Sequence, residues 1–537
     1  MYDLVVIGGG ANGAGVARDA ALRGLSVALC EREDWGAGTT GHSTRMIHGG
    51  LRYLLYDVPT TRISSEDAGR IRKIAPHLTF RIPFLWPIYA GEGLFGEAKE
   101  ALLAAYDTSA PAKHGLHHVR LDATEARRLE PGLAPGIAGA LTLDEWGIDV
   151  YRLSALNALD ARAAGAHLFA HTEVEELHRR GDGRTVTGVR ARDRLDGRVL
   201  ELEARLVVNA AGPWAPFVAA MADASAPLRP GKGVHVTFER RIGNFGLILE
   251  AVDGRLMFLV PHGAETIAGT TDTEFYGDPA RADLEVTADD VAYVIEACAR
   301  ALPQARAWRP LRAWAGVRNT VFEWGTPADD LSRKHEIVDH ETNDGIAGLI
   351  SILGGKLASY RLQAREAVDL AQRKLGRPPT PDTTASRALP GADGAMPEPD
   401  FVALAREIPL PAWALALVWR RLGSLIHEVS RDAGPDDVAP ICRAEALTPA
   451  EIRWAIRVEG CRTLEDLRRH AHLAAGGCDG LDCAVPAAHH AAELLGWTPA
   501  QTRLELASFL DRRWAERRPV LTGANLAQEE LQRWASE

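Results

Sequence analysis

The stretch from Tyr2 to Glu31 constrains the fold of this chain more than any other. "YDLVVIG" reads as a buried strand, "GAGVARDAALRG" from Gly13 as a helix, and "LSVALCE" from Leu25 as a second strand. Gly8, Gly10 and Gly13 set the pattern G-x-G-x-x-G between strand and helix. The first glycine makes the tight turn, the second lets the backbone approach a pyrophosphate, and the third lets the helix pack on the strand. The helix N-terminus then faces negative charge. Glu31 ends the second strand, where a carboxylate accepts the hydroxyls of a ribose. Strand, helix, strand and acid in one register predict a dinucleotide site in an open α/β sheet.

Three further segments decide between a nicotinamide and a flavin dinucleotide. "TTGHSTRMIHGGLRY", from Thr39 to Tyr53, is rich in hydroxyls and glycine and can run extended along a diphosphate and a flavin edge. It offers Thr40, Ser43, Thr44, His48, Gly49 and Gly50 as contacts. "NAAGPW", with Ala211, Gly212 and Trp214, and "GGKLASYR", with Gly354, Gly355, Lys356 and Leu357, put small residues at the carboxyl ends of strands. Ligands of open α/β sheets bind there. In the second of these the glycines open a helix whose positive end can stabilise charge on a reduced flavin. Val174 completes the candidate contacts. A long cofactor lying across the sheet is expected, and FAD suits it better than NAD.

Further along, "RLVVNAAG" from Arg205 and "GLISILGG" from Gly348 read as buried strands, and "GRLMFLVPHGAETIAGTTD" from Gly254 as an antiparallel hairpin. A mainly parallel nucleotide layer interleaved with an antiparallel substrate layer (roughly residues 80–200 and 225–320) accounts for residues 1–375. The Pro/Thr/Ser/Gly-rich run over residues 376–400 reads as a linker, and 401–537 as a helical domain. "TPAEIRWAI" from Thr448 and "TPAQTRLEL" from Thr498 predict helix starts with capping boxes to Glu451 and Gln501.

The net charge of −11, from 61 basic and 72 acidic residues, argues against nucleic acid and against a polybasic membrane anchor. Six cysteines and no signal-peptide pattern fit a reducing cytoplasm. "WALALVWRRLGSLI" from Trp413 is broken by Arg420 and Arg421 and reads as a buried core helix rather than an interfacial membrane helix.

At "MIHGGLRYL", "NAAGPW", "GTTDTEFYGDP" and "GGKLASYR", together with the N-terminal unit, the chain resembles the FAD-dependent sn-glycerol-3-phosphate dehydrogenases over roughly residues 1–375. After residue 400 it is similar to the C-terminal domain of the anaerobic branch's catalytic polypeptide, whereas "HGGLRYL" is closer to the aerobic branch. The resemblance implies an α/β fold of the FAD-binding, Rossmann-like type found in glutathione reductase and D-amino-acid oxidase. An antiparallel substrate domain and a helical C-terminal domain accompany it. It also implies oxidation of sn-glycerol 3-phosphate to dihydroxyacetone phosphate, with the C2 hydride passing to flavin N5. Electrons would leave to quinone or to electron-transfer subunits, and the resemblance leaves room for peripheral membrane attachment and for a homodimer. The competing readings are oxidation by O2 and a non-catalytic flavin electron-relay subunit.

A phosphate dianion calls for several cationic donors. Arg52 and Tyr53, Arg318, Arg333 and Lys356 match the family's substrate pocket, with Arg318 also placed in the catalytic set. His235, in "GKGVHVTF", matches a family histidine and is the candidate general base. Two departures stand out. Asn319 stands where the family commonly has proline, and Ala358 where it commonly has threonine, so a raised Michaelis constant is expected.

The resemblance also implies a Cys-x-Cys and Cys-x4-Cys ligand pattern for an iron–sulfur cluster. Here Cys442, Cys478 and Cys483 remain, but Ala444 stands at the fourth position. Cys461 lies beyond a helix, roughly 15 Å away along its axis, and His470 or His472 could complete a three-cysteine site. A ligand-depleted domain kept for packing or docking is the favoured reading, ahead of a metal site and of a redox disulfide.

Overall fold

The computed structural model describes all residues except 52–57, 109–111, 113–114, 279–283, 326–333, 393–397, 432 and 537. The N-terminal run Tyr2–Ile7 is a strand because its Leu and Val side chains are buried on both faces, as a central parallel strand requires. It pairs in parallel with Val27–Cys30 on one side and Val199–Asn209 on the other. The sheet extends to Leu349–Gly354, also parallel, then to the antiparallel edge strand His335–Asp339, and ends at His167–Phe169 on the far side. A hairpin, Thr172–Arg179 with Val186–Asp193, joins the N-terminal half of Val199–Asn209.

The helix Ala11–Leu22 follows the glycine turn and begins two residues before the sequence pattern places it. Its small residues let it sit close to two other helices. A Cβ on Gly15 would lie 3.0 Å from the Tyr360 ring, on the helix Tyr360–Lys374. Ala14, Ala17 and Ala20 are wholly buried.

The second layer is a ten-stranded sheet built around Leu228–Phe238, Pro310–Val321, Thr79–Tyr89 and Ile137–Ile148. The expected hairpin is there: Leu256–His262 pairs antiparallel with Glu265–Gly269. The two sheets approach where a Cβ on Gly354 would lie 2.7 Å from Val321 Cγ2, and that junction borders the site.

The segment read as a linker carries packing of its own over its described part. The Arg361 guanidinium holds Asp382 and Thr384, Leu389 N–H donates to Ile74 O at 2.8 Å, and Leu389 and Ala392 are buried. Beyond it the chain is helical. The Trp413 stretch forms two helices, Ala412–Leu422 and Leu425–Ser430, broken at Gly423, where φ is +54°. Leu415, Val418 and Trp419 join Ile71, Ile148 and Leu153 in one apolar cluster, so the helical region shares a core with the first domain. Thr498 makes the full capping box with Gln501. Thr448 caps its helix alone, because the Glu451 carboxylate is drawn into a buried pair with Arg421, at 2.8 Å on both oxygens. No helix among the described residues is long and apolar enough to cross a membrane.

Candidate active site

A cleft of about 620 Å³ opens at the carboxyl ends of the parallel strands. Gly8, Gly10 and Glu31 line one end, with Val174, Ala211, Gly212 and Trp214 beside them. Thr40 and Ser43 line its middle, and Gly354, Gly355, Lys356 and Leu357 the other end. Residues from four separated segments therefore meet along one groove, as expected for a ligand lying across the sheet.

The local geometry explains the sequence choices. Gly8 has φ +102°, and a Cβ there would lie 2.7 Å from Ala210 O. Gly13 does not face the cleft; a Cβ on it would lie 1.7 Å from Gly8 O, so its role is close approach of helix to turn. The Glu31 carboxylate is fixed by two backbone donors, Gly9 N–H at 2.6 Å and Glu33 N–H at 2.8 Å. Burial raises its pKa, and those two bonds oppose the shift. Thr40 Oγ1 accepts from Ala11 N–H at 3.1 Å and ties the hydroxyl-rich segment to the helix start. At the far end the helix opens through a short 3-10 turn, Leu357–Ser359, after two glycines at φ +69° and +85°.

The residues fit a flavin dinucleotide. The cleft has an acid and a glycine turn at one end, hydroxyl side chains along its middle, and a lysine after a second glycine turn at the other end. The Trp214 indole N–H, at the acid end, is buried without an acceptor among the described residues.

A smaller cavity of about 190 Å³ adjoins the Lys356 end. Ser43, Thr44, His48, Arg318, Lys356 and Ala358 line it. Room for the Arg318 guanidinium is made by glycines on the neighbouring strand: a Cβ on Gly233 would stand 2.9 Å from Arg318 Nη2. Arg318 Nη1 meets Asp272 Oδ1 at 2.6 Å, and Nη2 donates to Thr271 O at 2.9 Å. Lys356 Nζ donates to Gly49 O at 3.4 Å. Gly49 itself faces away, since a Cβ there would lie 2.3 Å from the Ser65 and Tyr106 hydroxyl oxygens. The Gly50 carbonyl lies 3.4 Å from Thr61 Oγ1, and Gly50 lines neither cavity.

His235 is 3% exposed and lines neither cavity. It stacks on Trp314 with ring centres 5.5 Å apart, and its Nε2 lies 3.0 Å from Thr44 Oγ1. Its Nδ1 is buried with no hydrogen-bond partner among the described residues. Burial, with the positive charges of Arg318 and Arg45, holds its pKa down at about 3, so the ring is neutral. Arg52, Tyr53 and Arg333 lie outside the described residues.

Several participants carry no local sequence signal. Asn12 donates to Gln363 Oε1 at 2.9 Å, and Gln363 Nε2 donates to Lys356 O at 3.0 Å, so one buried amide couples both ends of the groove. Arg468, Arg469, Arg512 and Arg513, from the helices Leu464–Ala471 and Pro499–Arg517, form an outer wall of the cleft. Only the tertiary fold brings such residues to the groove. As for the proposed cysteine ligands, His470 is held by Glu459 and Asp34, and His472 by Asp149 and Glu445. Cys461 lies against His470, and a Cβ on Gly476 would lie 2.3 Å from Ala444 Cβ. Among the described residues no group of three or more His, Cys, Asp or Glu side chains is arranged to hold a metal ion.

The family model for FAD dependent oxidoreductases matches residues 3–361, and that for the C-terminal domain of alpha-glycerophosphate oxidase matches residues 382–502. The chain is 35% identical over 535 residues to a subunit of the anaerobic glycerol-3-phosphate dehydrogenase of Escherichia coli K12, covering 99% of this chain and 95% of that one. It is 32% identical over 543 residues to the glycerol-3-phosphate dehydrogenase of Mycobacterium leprae, covering 96% and 88%. The crystal structure of the Bacillus halodurans glycerol-3-phosphate dehydrogenase complexed with FAD superposes with a TM-score of 0.78 at 26% identity, covering 97% and 96%. The chain belongs to the FAD-dependent oxidoreductases, within the family of the glycerol-3-phosphate dehydrogenases.

Proposed function

We propose that this enzyme oxidises sn-glycerol 3-phosphate to dihydroxyacetone phosphate and passes the electrons on to quinone or to an electron-carrying partner. The observation that carries the reading is the junction of the two cavities: Lys356 lines both, and Arg318 faces the smaller one. A phosphate dianion placed there would find two cations, with the bidentate guanidinium fixing its orientation. Asp272 holds Arg318 in place beforehand, which keeps the guanidinium aimed without substrate.

Bound FAD supplies the hydride acceptor. Gly8, Gly10, Glu31 and Thr40 would hold its diphosphate–ribose portion, and Gly354, Gly355, Lys356 and Leu357 its ring end. The chain's own task is to take the C2 hydroxyl proton. We assign this to His235 acting through Thr44, which lines the cavity and touches His235 Nε2. A neutral imidazole is the competent acceptor. Its basicity is depressed partly by Arg318, and a dianionic phosphate beside Arg318 would offset that charge and raise it. That offset acts on the charge contribution alone, burial being the larger cause.

One anaerobic visible spectrum before and after adding sn-glycerol 3-phosphate tests the reading. Bleaching of the oxidised-flavin band is expected; an unchanged band would refute the substrate. Arg318→Ala should keep its flavin but lose about 30- to 5,000-fold in kcat/KM, from the roughly 2–5 kcal/mol carried by a desolvated charge pair.

A further inference from the structure

The face of the ten-stranded sheet that carries His235 also carries polar side chains that line neither cavity. Successive side chains on a strand alternate between faces. On Leu228–Phe238, Val236 and Phe238 enter an apolar cluster with Ala268 and Ala313, so His235 and Thr237 share the opposite face. In register, His235 stands opposite Gly269 and Trp314, and Thr237 opposite Ile267 and Arg312. Glu265, two residues before Ile267 on its strand, lies on that same face, at the hairpin end beside the exposed Gly263 and Ala264.

His235 Nδ1, Thr237 Oγ1 and Glu265 Oε1 are each buried with no hydrogen-bond partner among the described residues. Arg312 holds only Oε2 of Glu265. His235 and Thr237 stand roughly 6.5 Å apart along their strand. Thr237 and Glu265 are diagonal neighbours across the strand pair, roughly 7–8 Å apart and within reach of a long side chain. A water that makes two hydrogen bonds spans roughly 5.6 Å, so one water fits each gap. Buried polar atoms of this kind pair with ordered water. A hydroxyl both donates and accepts, so the middle atom of the row can pass a proton on.

We propose that His235, Thr237 and Glu265 form a proton relay, bridged by two waters, that delivers the C2 hydroxyl proton to the Glu265 carboxylate. The relay rests on the assignment of His235 as base. The C2 hydroxyl proton moves to Thr44 Oγ1 as the Thr44 proton moves to His235 Nε2. His235 Nδ1 gives its own proton to the first water, which passes one to Thr237 Oγ1. Thr237 passes its proton to the second water, and that water passes one to Glu265 Oε1. The hydride leaves C2 with both electrons of its bond, the carboxylate becomes a carboxylic acid, and the imidazole ends neutral. Once the ketone has left, the Nε2 proton passes through Thr44 to water in the open cavity, and Glu265 returns its proton along the row to Nδ1.

Such a relay answers a charge problem. Burial, with Arg318, Arg45 and His42 around it, holds His235 at about 3, so an imidazolium there is strongly disfavoured. Taking a proton at one ring nitrogen while releasing one from the other avoids that cation. Burial raises the Glu265 carboxyl to about 7; Arg312 and Arg45 oppose the rise, while Asp479 and Glu445 add to it. His262, opposite Glu265 across the hairpin, is kept neutral by burial. The carboxylate is therefore a stronger proton acceptor than the imidazole.

Anaerobic stopped-flow reduction of the holoenzyme's flavin by sn-glycerol 3-phosphate, from about pH 5.5 to 9, tests the relay. The wild-type rate should fall as pH drops through about 7, where Glu265 takes up its proton, and Glu265→Gln should remove that break. Thr237→Val, which keeps the side chain's shape, should slow reduction at least about ten-fold with flavin content and melting temperature held, and Thr237→Ser should restore the rate. Thr237→Val reducing its flavin at the wild-type rate, or Glu265→Gln keeping the pH break, would overturn the relay and leave His235 as the base. His235→Asn at the wild-type rate would overturn the base assignment and the relay with it, whereas a wild-type flavin that never bleaches would overturn the substrate.

Discussion

The dinucleotide cleft and the seam between the first domain and the C-terminal helices are made of opposite materials. The cleft is shaped by backbone: glycines whose missing Cβ leaves room, and amides that fix one carboxylate. The seam, beside the apolar core that the two regions share, carries buried charge pairs. Arg152 grips Glu459 at 2.6 and 2.9 Å with both side chains buried, His470 reaches Asp34, His472 reaches Asp149, and His171 reaches Asp466. Backbone sites demand particular residues at fixed local spacing, whereas charge pairs demand only that two distant residues meet. The largest single effects should therefore come from filling a tight glycine turn that shapes the cleft, and from removing one charge in the seam.

The severest break is Gly13→Val. Its Cβ would sit 1.7 Å from Gly8 O, a backbone atom that cannot move without unmaking the turn. Overpacking of a tight site costs about 1–3 kcal/mol and more when backbone must shift. The expected product is a protein without flavin, or no soluble protein; normal flavin content at the wild-type melting temperature would contradict the role given to the third glycine.

Glu459→Ala attacks the seam instead. It strands the Arg152 guanidinium in the interior, which typically costs about 3–5 kcal/mol. Because Glu459 lines neither cavity, flavin content should hold while denaturant unfolding shifts early. If the flavin were lost first, the seam and the cleft would not be separable.

This contrast also explains what the sequence disclosed. The glycine turn, the acid at Glu31 and the strand-end turns at Ala211 and Gly354 are local patterns, and the structure lines them up along one groove. The seam could not be read, since its partners stand 307, 436, 323 and 295 residues apart. The same limit hid Asp272 beside Arg318, and made Glu451 look like half of a capping box when its carboxylate serves Arg421. The Pro-rich run from residue 376 has the composition of a linker; composition does not show that Arg361 waits to pair with Asp382.

Titration separates the two regions more gently. In the seam, burial lowers the histidine pKa values but is outweighed: carboxylate partners raise His171 and His472, the latter to about 9, and Cys461 with Asp34 raises His470. Folded values above the unfolded 6.5 mean stability that is full below pH 6.5 and lost as pH rises through about 9. Burial holds His235, beside the smaller cavity, and His262, which lines neither cavity, at about 3, so for both the unfolded state binds the extra protons and stability falls as pH drops from 6.5 towards 3. A melting temperature highest near about pH 6–7 follows. His472→Gln should flatten the alkaline limb and leave the acid limb; an unaltered alkaline limb would remove the seam histidines from the explanation.

The mildest test falls on a single neutral hydrogen bond. Asn319 follows Arg318 on its strand, sits opposite Pro230, and donates from Nδ2 to Gly354 O at 3.2 Å. It therefore links the strand that aims the guanidinium to the turn that carries Lys356. Removing one partner of such a bond costs about 0.5–1.5 kcal/mol, and the freed carbonyl lies in a cleft that water can enter. Asn319→Ala should raise the Michaelis constant for sn-glycerol 3-phosphate about two- to ten-fold, with kcat and flavin content unchanged. A fall in kcat instead would mean that the spacing of Arg318 from Lys356 is set by this amide during the reaction, and that side chains as well as backbone shape the cleft.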